Sequence, residues 1–450
     1  MLPDDVLLDI FKSYLCGCRF DEWERGWQSL VRVCNRWRSI VFGSPRRLDL
    51  QLVCTSRTPT RDRLDIWPAL PLIILVDGDE PVRSVDNIIA GLERSDRVCQ
   101  IDITNVPSSN LLAEMQQPFP ELIYLRLWPV GEVPVLSDSF LGGSAPSLRY
   151  LTWDSIPFPG LPKLLLSATH LRSLHLFSIP HSGYFSPDAM VTVLSTLTRL
   201  SYFWLAFESP RSCPEPATRR SPPKTRSVLP GFTHFRFKGV AEYLEDVVAC
   251  IDAPQLHVLD IIFFNDIEFD TPQLMQYISR TPELRTPKEA HITLRDDGAR
   301  VSFLSQTSLY PGREFKMEIL CKGLDWQLLS LEQVCTSCLP PFSTLEGLYI
   351  YGDSLSQPDR KDDIENGLWL DLLQPFTAVK YLYLSEEFAP HIVHALQELV
   401  EGRTTEVLPA LQNIFLRGFE SSEPVQEDIG QLVAARQVAD HPIAVSRWTS

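Results

Sequence analysis

Cys335 and Cys338 are separated by two intervening residues, the spacing by which paired thiolates grip zinc. A tetrahedral site needs four ligands, and no second pair has matching spacing. Cys16 and Cys18 offer no better arrangement, and His391 and His394, at i and i+3 of an expected helix, lack a carboxylate pattern beside them. The carboxylate pairs Asp296-Asp297 and Asp362-Asp363 look like turn residues rather than general acids and bases. The chain carries no Gly-x-Ser-x-Gly, no phosphate-cradling Walker loop and no Gly-x-Gly-x-x-Gly. No catalytic residue, metal site or cofactor is therefore expected, and an enzyme with an unrecognised site is the least favoured reading. The residues that remain are of the types that bind.

Those residues are placed by a recurring phrase, apolar-x-x-apolar-x-apolar. It runs Val98-x-x-Ile101-x-Ile103, Leu122-x-x-Leu125-x-Leu127, Leu148-x-x-Leu151-x-Trp153 and Leu171-x-x-Leu174-x-Leu176. It continues at Leu200, Phe232 and Leu256 and, after a weaker stretch, at Leu345, Val379 and Leu411. A period mostly in the twenties with this phrase predicts leucine-rich-repeat units, each a short parallel strand with a return segment. The expected fold class is α/β: a small N-terminal helical module, residues 1–52, then a curved repeat solenoid with a parallel strand sheet, residues 53–450. An unrelated α/β domain with several Leu-rich strands is the alternative. Leu48-Asp49-Leu50 and Leu72 to Val76 are expected to begin the stack. His291 to Leu294 and Phe315 to Ile319 are expected as strands without the full phrase. Residues 209–230, with six prolines, cannot pack and are expected as an inserted loop. Residues 426–450 are expected as a helix and a last strand that cap the stack.

Strand residues alternate between core and surface. The surface set is then Tyr124, Arg126 and Trp128; Tyr150, Thr152 and Asp154; Ser173, His175 and Phe177; Tyr202 and Trp204; His234, Arg236 and Lys238; Val258 and Asp260; Tyr349 and Tyr351; Tyr381 and Tyr383; Phe415 and Arg417. Tyr, Trp and Arg combine large area with a polar tip and dominate interface energetics. A protein client is expected on Tyr124, Trp128, Tyr150, His175, Phe177, Tyr202, Trp204, Tyr349, Tyr351, Tyr381 and Tyr383. An insertion or tail of the chain itself lying over these rings is the alternative.

Composition narrows the partners. The net charge of −16 argues against nucleic acid. Residues 1–50 hold eight basic and seven acidic side chains, so the negative charge lies in the body. That charge serves solubility or a preference for a basic target. No apolar run approaches the ~20 residues of a membrane helix. Asp4, Asp5 and Asp9 occupy the place of a signal sequence, and the ten cysteines are unpatterned. A cytoplasmic or nuclear location without membrane contact is expected.

The N-terminal segment is apolar beyond its size. Pro3, Asp4 and Asp5 suit a first helical turn. Val6, Leu7, Ile10, Phe11, Tyr14 and Leu15 follow on helical spacing, and Trp27, Leu30, Val31, Cys34, Trp37 and Val41 predict a second helix ended by Gly43-Ser44-Pro45. Cys16 to Gly26 is expected as a polar connection. Leu2-Pro3, Leu7, Ile10-Phe11, Val33-Cys34, Arg36-Trp37 and Ser44-Pro45 together resemble an F-box, the helical module that docks on the Skp-type adaptor of cullin–RING ubiquitin ligases. With repeats behind it, the chain is similar to F-box proteins with degenerate leucine-rich repeats of the fungal F-box-like type. Arg47-Leu48 stands where that family often has Leu-Trp. The resemblance implies that Leu2, Pro3, Leu7, Ile10, Phe11, Val31, Cys34 and Trp37 meet the adaptor or support that contact. It also implies a substrate-recognition subunit whose repeat face holds the client. A repeat scaffold outside ubiquitin transfer, its first helices only capping the solenoid, is the alternative.

Overall fold

The computed structural model describes residues 2–16, 20–57, 60–77, 85–106, 109–131, 133–213, 225–264, 271–305, 314–338, 344–352, 365–398, 406–417 and 423–448. The centre of the Pro-rich insertion, Cys18 and Asp362-Asp363 lie outside these residues, as do the side chains of Cys338 and Trp448. The chain divides into two compact units, Met1–Phe185 and Ser186–Ser450.

The first unit opens with three helices: α1 (Asp4–Cys16), α2 (Phe20–Val33) and α3 (Asn35–Gly43). Asp4 and Asp5 fill the first turn of α1, where carboxylates complement the helix dipole. The stretch expected as a polar connection is mostly helix, because α2 already begins at Phe20. The single helix expected over 27–41 is broken at Cys34. Its backbone is extended (φ −161°, ψ 168°), and its Sγ accepts the Trp37 backbone N–H at 3.5 Å, which caps α3. Arg36 pairs with Asp4 at 2.6 Å, and Arg47 reaches Asp5 and Asp9 at 3.1 and 2.8 Å. These pairs are exposed and each contributes at most ~1 kcal/mol. The helices share a core in which Leu7, Leu8, Phe11 and Leu15 of α1, Val31 of α2, and Ile40 and Val41 of α3 are buried.

A fourth helix, α4 (Thr60–Ile66), lies between β1 (Leu52–Cys54) and β2 (Leu72–Asp77). The strand expected at Leu48 to Leu50 is a turn instead. Asp49 takes a left-handed φ of 52°, and the Leu50 N–H closes onto Pro45 O at 2.9 Å. Then come β3 (Val98–Val106), β4 (Tyr124–Pro129), β5 (Tyr150–Asp154) and β6 (Ser173–Ile179). The strands β1 to β6, those of this unit among the described residues, pair in parallel in chain order. The phrase sets their register: Ile101, Leu125, Leu151 and Leu174 form one row, and Ile103, Leu127, Trp153 and Leu176 the next. Both rows are buried, as are the leading residues Val98, Leu122, Leu148 and Leu171. Just before each strand, one backbone N–H bonds back to the preceding unit, as Ile123 to Cys99, Arg149 to Ile123 and Arg172 to Arg149, each at 2.8 Å. Such stacking satisfies buried backbone groups between repeats.

The second unit holds β7 (Tyr202–Phe207), β8 (Ser227–Val228), β9 (His234–Gly239), β10 (Ile251–Asp252), β11 (Val258–Phe264), β12 (Glu289–Leu294), β13 (Ala299–Leu304), β14 (Glu314–Leu320), β15 (Gly347–Gly352), β16 (Tyr381–Leu384), β17 (Asn413–Arg417) and β18 (Ala444–Trp448). β8 and β10 form a separate two-stranded ladder, so the stretch 209–230 expected as a loop that cannot pack does pair at its second end, and Ser212, Cys213 and Leu229 within it are buried. The others follow the order β7-β9-β11-β14-β13-β12-β15-β16-β17-β18. All of these neighbours are parallel except those of β13, which runs antiparallel to both β12 and β14. The turn Asp296-Asp297-Gly298 makes this reversal. A Cβ on Gly298 would come within 2.6 Å of Ile319 O, so glycine lets the turn lie against β14. The helix Glu423–Val438 covers the last repeats through buried Leu432 and Arg436. The Arg436 guanidinium donates to Val407 O at 2.8 Å and Leu408 O at 3.3 Å.

Candidate functional site

Two kinds of surface stand out, an apolar helix stripe and an aromatic sheet face. The stripe lies on α1. Its core-facing side is complete with Leu7, Leu8, Phe11 and Leu15, yet Leu2, Val6, Ile10 and Tyr14 continue a second line at i+4 spacing and are 51, 41, 48 and 50% exposed. Val33, at the end of α2, is 60% exposed. The Arg36 guanidinium, which donates to the Leu2 carbonyl and to Asp4, holds the start of α3 against the start of α1. Trp37 is half-buried, its ring 4.7 Å from that of Phe11.

The residues expected at the adaptor contact thus separate into two groups. Leu2, Pro3, Ile10 and Cys34 are exposed, and Trp37 partly so. Leu7, Phe11 and Val31 are buried in the module's own core and support the helices without presenting a surface. Val6, Tyr14 and Val33 join the exposed group, although the resemblance did not single them out as contacts. Their helical spacing was visible, but not which apolar line the core would take.

The module is anchored to the first repeat by aromatic packing. Trp27 is fully buried, its ring 5.2 Å from Trp67 and 6.2 Å from Phe42, both edge-on. Its indole N–H donates to Gln51 O at 3.1 Å.

On the sheet, every residue expected to touch the client is at least partly exposed, whereas Asp154, expected on the same surface, is buried at the end of β5. In the first unit, Tyr124 and Tyr150 approach at 6.2 Å, Trp128 and Phe177 at 6.2 Å, and His175 and Phe177 at 5.7 Å. Arg126 pairs with Asp102 at 2.8 Å beside them.

In the second unit the strand registers place ten side chains in a single row across ten strands. The row runs Trp204, Arg236, Asp260, Lys316, Ser302, His291, Tyr349, Tyr383, Phe415 and Ser446. Its composition changes along its length. At one end the Arg236 guanidinium lies 4.8 Å over Trp204, 5.9 Å from the Tyr202 ring and 3.7 Å from Asp260. Burial raises the Asp260 pKa, and the nearby cations oppose that shift. At the other end the rings of His291, Tyr349, Tyr383 and Phe415 stack at 4.2, 4.1 and 4.5 Å, each pair within 10° of parallel. Parallel in-register strands set neighbouring side chains ~5 Å apart, which is the spacing that face-to-face rings need. Burial lowers the His291 pKa, and Glu289 and Glu314 partly offset that shift. Tyr381 and Tyr351 flank the row, and the Tyr351 ring meets His291 edge-on at 6.1 Å.

His291 was not expected on this face, because its strand lacks the repeat phrase. Arg300 and Ser302 join it on β13, a strand with no repeat phrase to announce it. Among the described residues, no group of three or more His, Cys, Asp and Glu could hold a metal ion, and no helix is long and apolar enough to cross a membrane. His391 and His394 lie on the helix Ala389–Glu398, where His394 faces Asp428 at 3.6 Å.

The fold and these surfaces define an α/β repeat protein with a mostly parallel sheet. No protein-family model matches the chain, and no curated protein matches it. Among solved structures, a leucine-rich-repeat-containing protein, LegL7 from Legionella pneumophila, is similar to it at 14% identity. That similarity covers 73% of this chain and 96% of LegL7, with a TM-score of 0.27. The repeat assignment stands on the strand pairing.

Proposed function

We propose that this protein is a substrate-recognition subunit of an SCF-type cullin–RING ubiquitin ligase, docking a Skp-type adaptor through α1 and α3 and a client protein through its sheet face. The observation that carries this reading is the second apolar line on α1. A helix that has already filled its core and still exposes Leu2, Val6, Ile10 and Tyr14 is built to be covered by something else. The F-box resemblance, Leu2-Pro3 with Cys34-x-x-Trp37, names the cover. The half-exposed aromatic rows support client binding, since stacked rings lose little side-chain freedom on contact. The protein contributes positioning and no chemistry of its own: it raises the effective concentration of client lysines near the charged carrier enzyme.

The alternative, a scaffold whose helices only cap the repeats, draws on Trp27. That residue does tie α2 and α3 to Trp67 and Gln51. Yet capping uses the buried side of the module and leaves the α1 stripe without a role.

Calorimetric titration of the purified chain with a purified Skp-type adaptor separates the two. The receptor reading expects a one-to-one complex with a Kd of about 1 μM or tighter, as for a specific interface. A folded chain that gives no heat and no complex overturns it.

A further inference from the structure

Leu2 and Pro3 stand outside the helix they lead into. The backbone ladder of α1 begins with the Leu7 N–H on Pro3 O at 3.2 Å, one residue past Leu2. The Leu2 side chain nevertheless opens the exposed line that Val6, Ile10 and Tyr14 continue. Helix ends fray unless something ties them, and a frayed Leu2 has no fixed place in that line.

Arg36 supplies the tie. Its Nη2 donates to Leu2 O at 2.5 Å and to Asp4 Oδ1 at 2.6 Å, and its Nε donates to the same Asp4 oxygen at 3.2 Å. One guanidinium thus grips the backbone ahead of the helix and a carboxylate in its first turn. The planar fork of arginine suits this double grip, which the single ammonium of lysine reproduces only in part. The base of the side chain is itself fixed. Arg36 is the second residue of α3, between the Cys34 cap and Trp37, whose ring lies 4.7 Å from that of Phe11. α3 is therefore seated on the middle of α1, and Arg36 reaches back to its start.

Arg47 offers the contrast. It is exposed to a similar degree, and its carboxylate partners are Asp5 and Asp9, farther along α1. As ion pairs the two arginines are alike. The bond to the Leu2 carbonyl sets Arg36 apart.

We propose that Arg36 is a positioning residue of the docking surface: it fixes Leu2-Pro3 in line with Val6 and Ile10, so that the adaptor meets a preformed stripe. This role rests on the adaptor-docking reading above. A contact ordered before association spares the complex the cost of ordering it.

The test is a double-mutant cycle on the full chain with a purified Skp-type adaptor. Arg36→Gln is expected to weaken binding about tenfold, and Arg36→Lys about threefold. Arg47→Gln is expected to cost less than about twofold. In a Leu2→Ala background, where the placed side chain is already gone, Arg36→Gln is expected to cost less than about twofold. A direct contact between Arg36 and the adaptor would instead make the two losses multiply. In the free Arg36→Gln chain, amide exchange at Leu7 and Leu8 is expected to quicken, with the thermal midpoint moved by no more than about 3 °C. Losses that multiply, a loss no larger than that of Arg47→Gln, unchanged exchange at Leu7 and Leu8, or a larger fall of the midpoint overturns the proposal. A wild-type chain that binds no adaptor removes the receptor reading and the docking role with it, and the exchange measurement still decides whether Arg36 holds the start of α1.

Discussion

Val6→Asp together with Ile10→Asp is expected to weaken adaptor binding by roughly a hundredfold while leaving the fold intact. Both side chains are about half exposed in the free chain, so their replacement creates no cavity. Helix propensity costs at most ~0.7 kcal/mol per aspartate, and the carboxylate introduced in place of Val6, near the helix start, regains part of this from the helix dipole. In the complex the same carboxylates would be buried without partners, which is far more costly. The pairing of a large affinity loss with a stability change of about 1 kcal/mol or less is the signature of a docking surface. Titration with the adaptor and chemical denaturation of the variant read the two quantities. A variant that is strongly destabilised, or that binds as before, removes the stripe from the interface. Leu7→Asp makes a poorer test, because Leu7 is buried and its loss would disrupt the module itself.

Trp27→Ala is expected to destabilise the first unit by about 3–5 kcal/mol, the usual cost of truncating a buried tryptophan. Three losses combine: an indole with no exposed surface, its edge contacts with Trp67 and Phe42, and a hydrogen bond that leaves Gln51 O without its donor. For a unit of this size that corresponds to a fall of about 10 °C in Tm. Trp27→Phe, which keeps ring packing and loses the hydrogen bond, is expected to lose less than half as much. Denaturant melts followed through the tryptophan signal measure both. A cost below about 1 kcal/mol for the alanine would mean that the helices are not held on the first repeat by this cluster.

Several of these features were legible in the residues. Leu125, Leu151 and Leu174 stand at the same place in their phrases, and the sheet pairs them in register as the phrase implied. The alternation around them located the exposed rings. Tyr349 and Tyr383 were visible as a pair, and the structure adds that they stack at 4.1 Å. Elements that depend on a neighbour were not legible. Ala299 to Leu304 has the alternation of a strand but no leading apolar residue, and its direction is set by a turn rather than by a repeat. Leu48-Asp49-Leu50 alternates as a strand would, yet both leucines are buried by a turn in which Asp49 adopts φ 52°. Helical spacing runs straight through Cys34, but its thiol caps a new helix there. On α1, periodicity showed an apolar face wider than a small core can use. It could not say that the core takes Leu7 and Phe11 and leaves Val6 and Ile10 outside, because that choice is made by α2 and α3.

The uncovered side of α1 is proposed to belong to a Skp-type adaptor. Hydrogen–deuterium exchange of the full chain, with and without saturating adaptor, tests it most directly, because it reports which amides a partner covers or steadies. The predicted result is slowed exchange in Asp4–Cys16 and Asn35–Gly43, with the strands β7 to β18 unchanged. Protection confined to the sheet, or none in α1 under conditions where the complex forms, would contradict it.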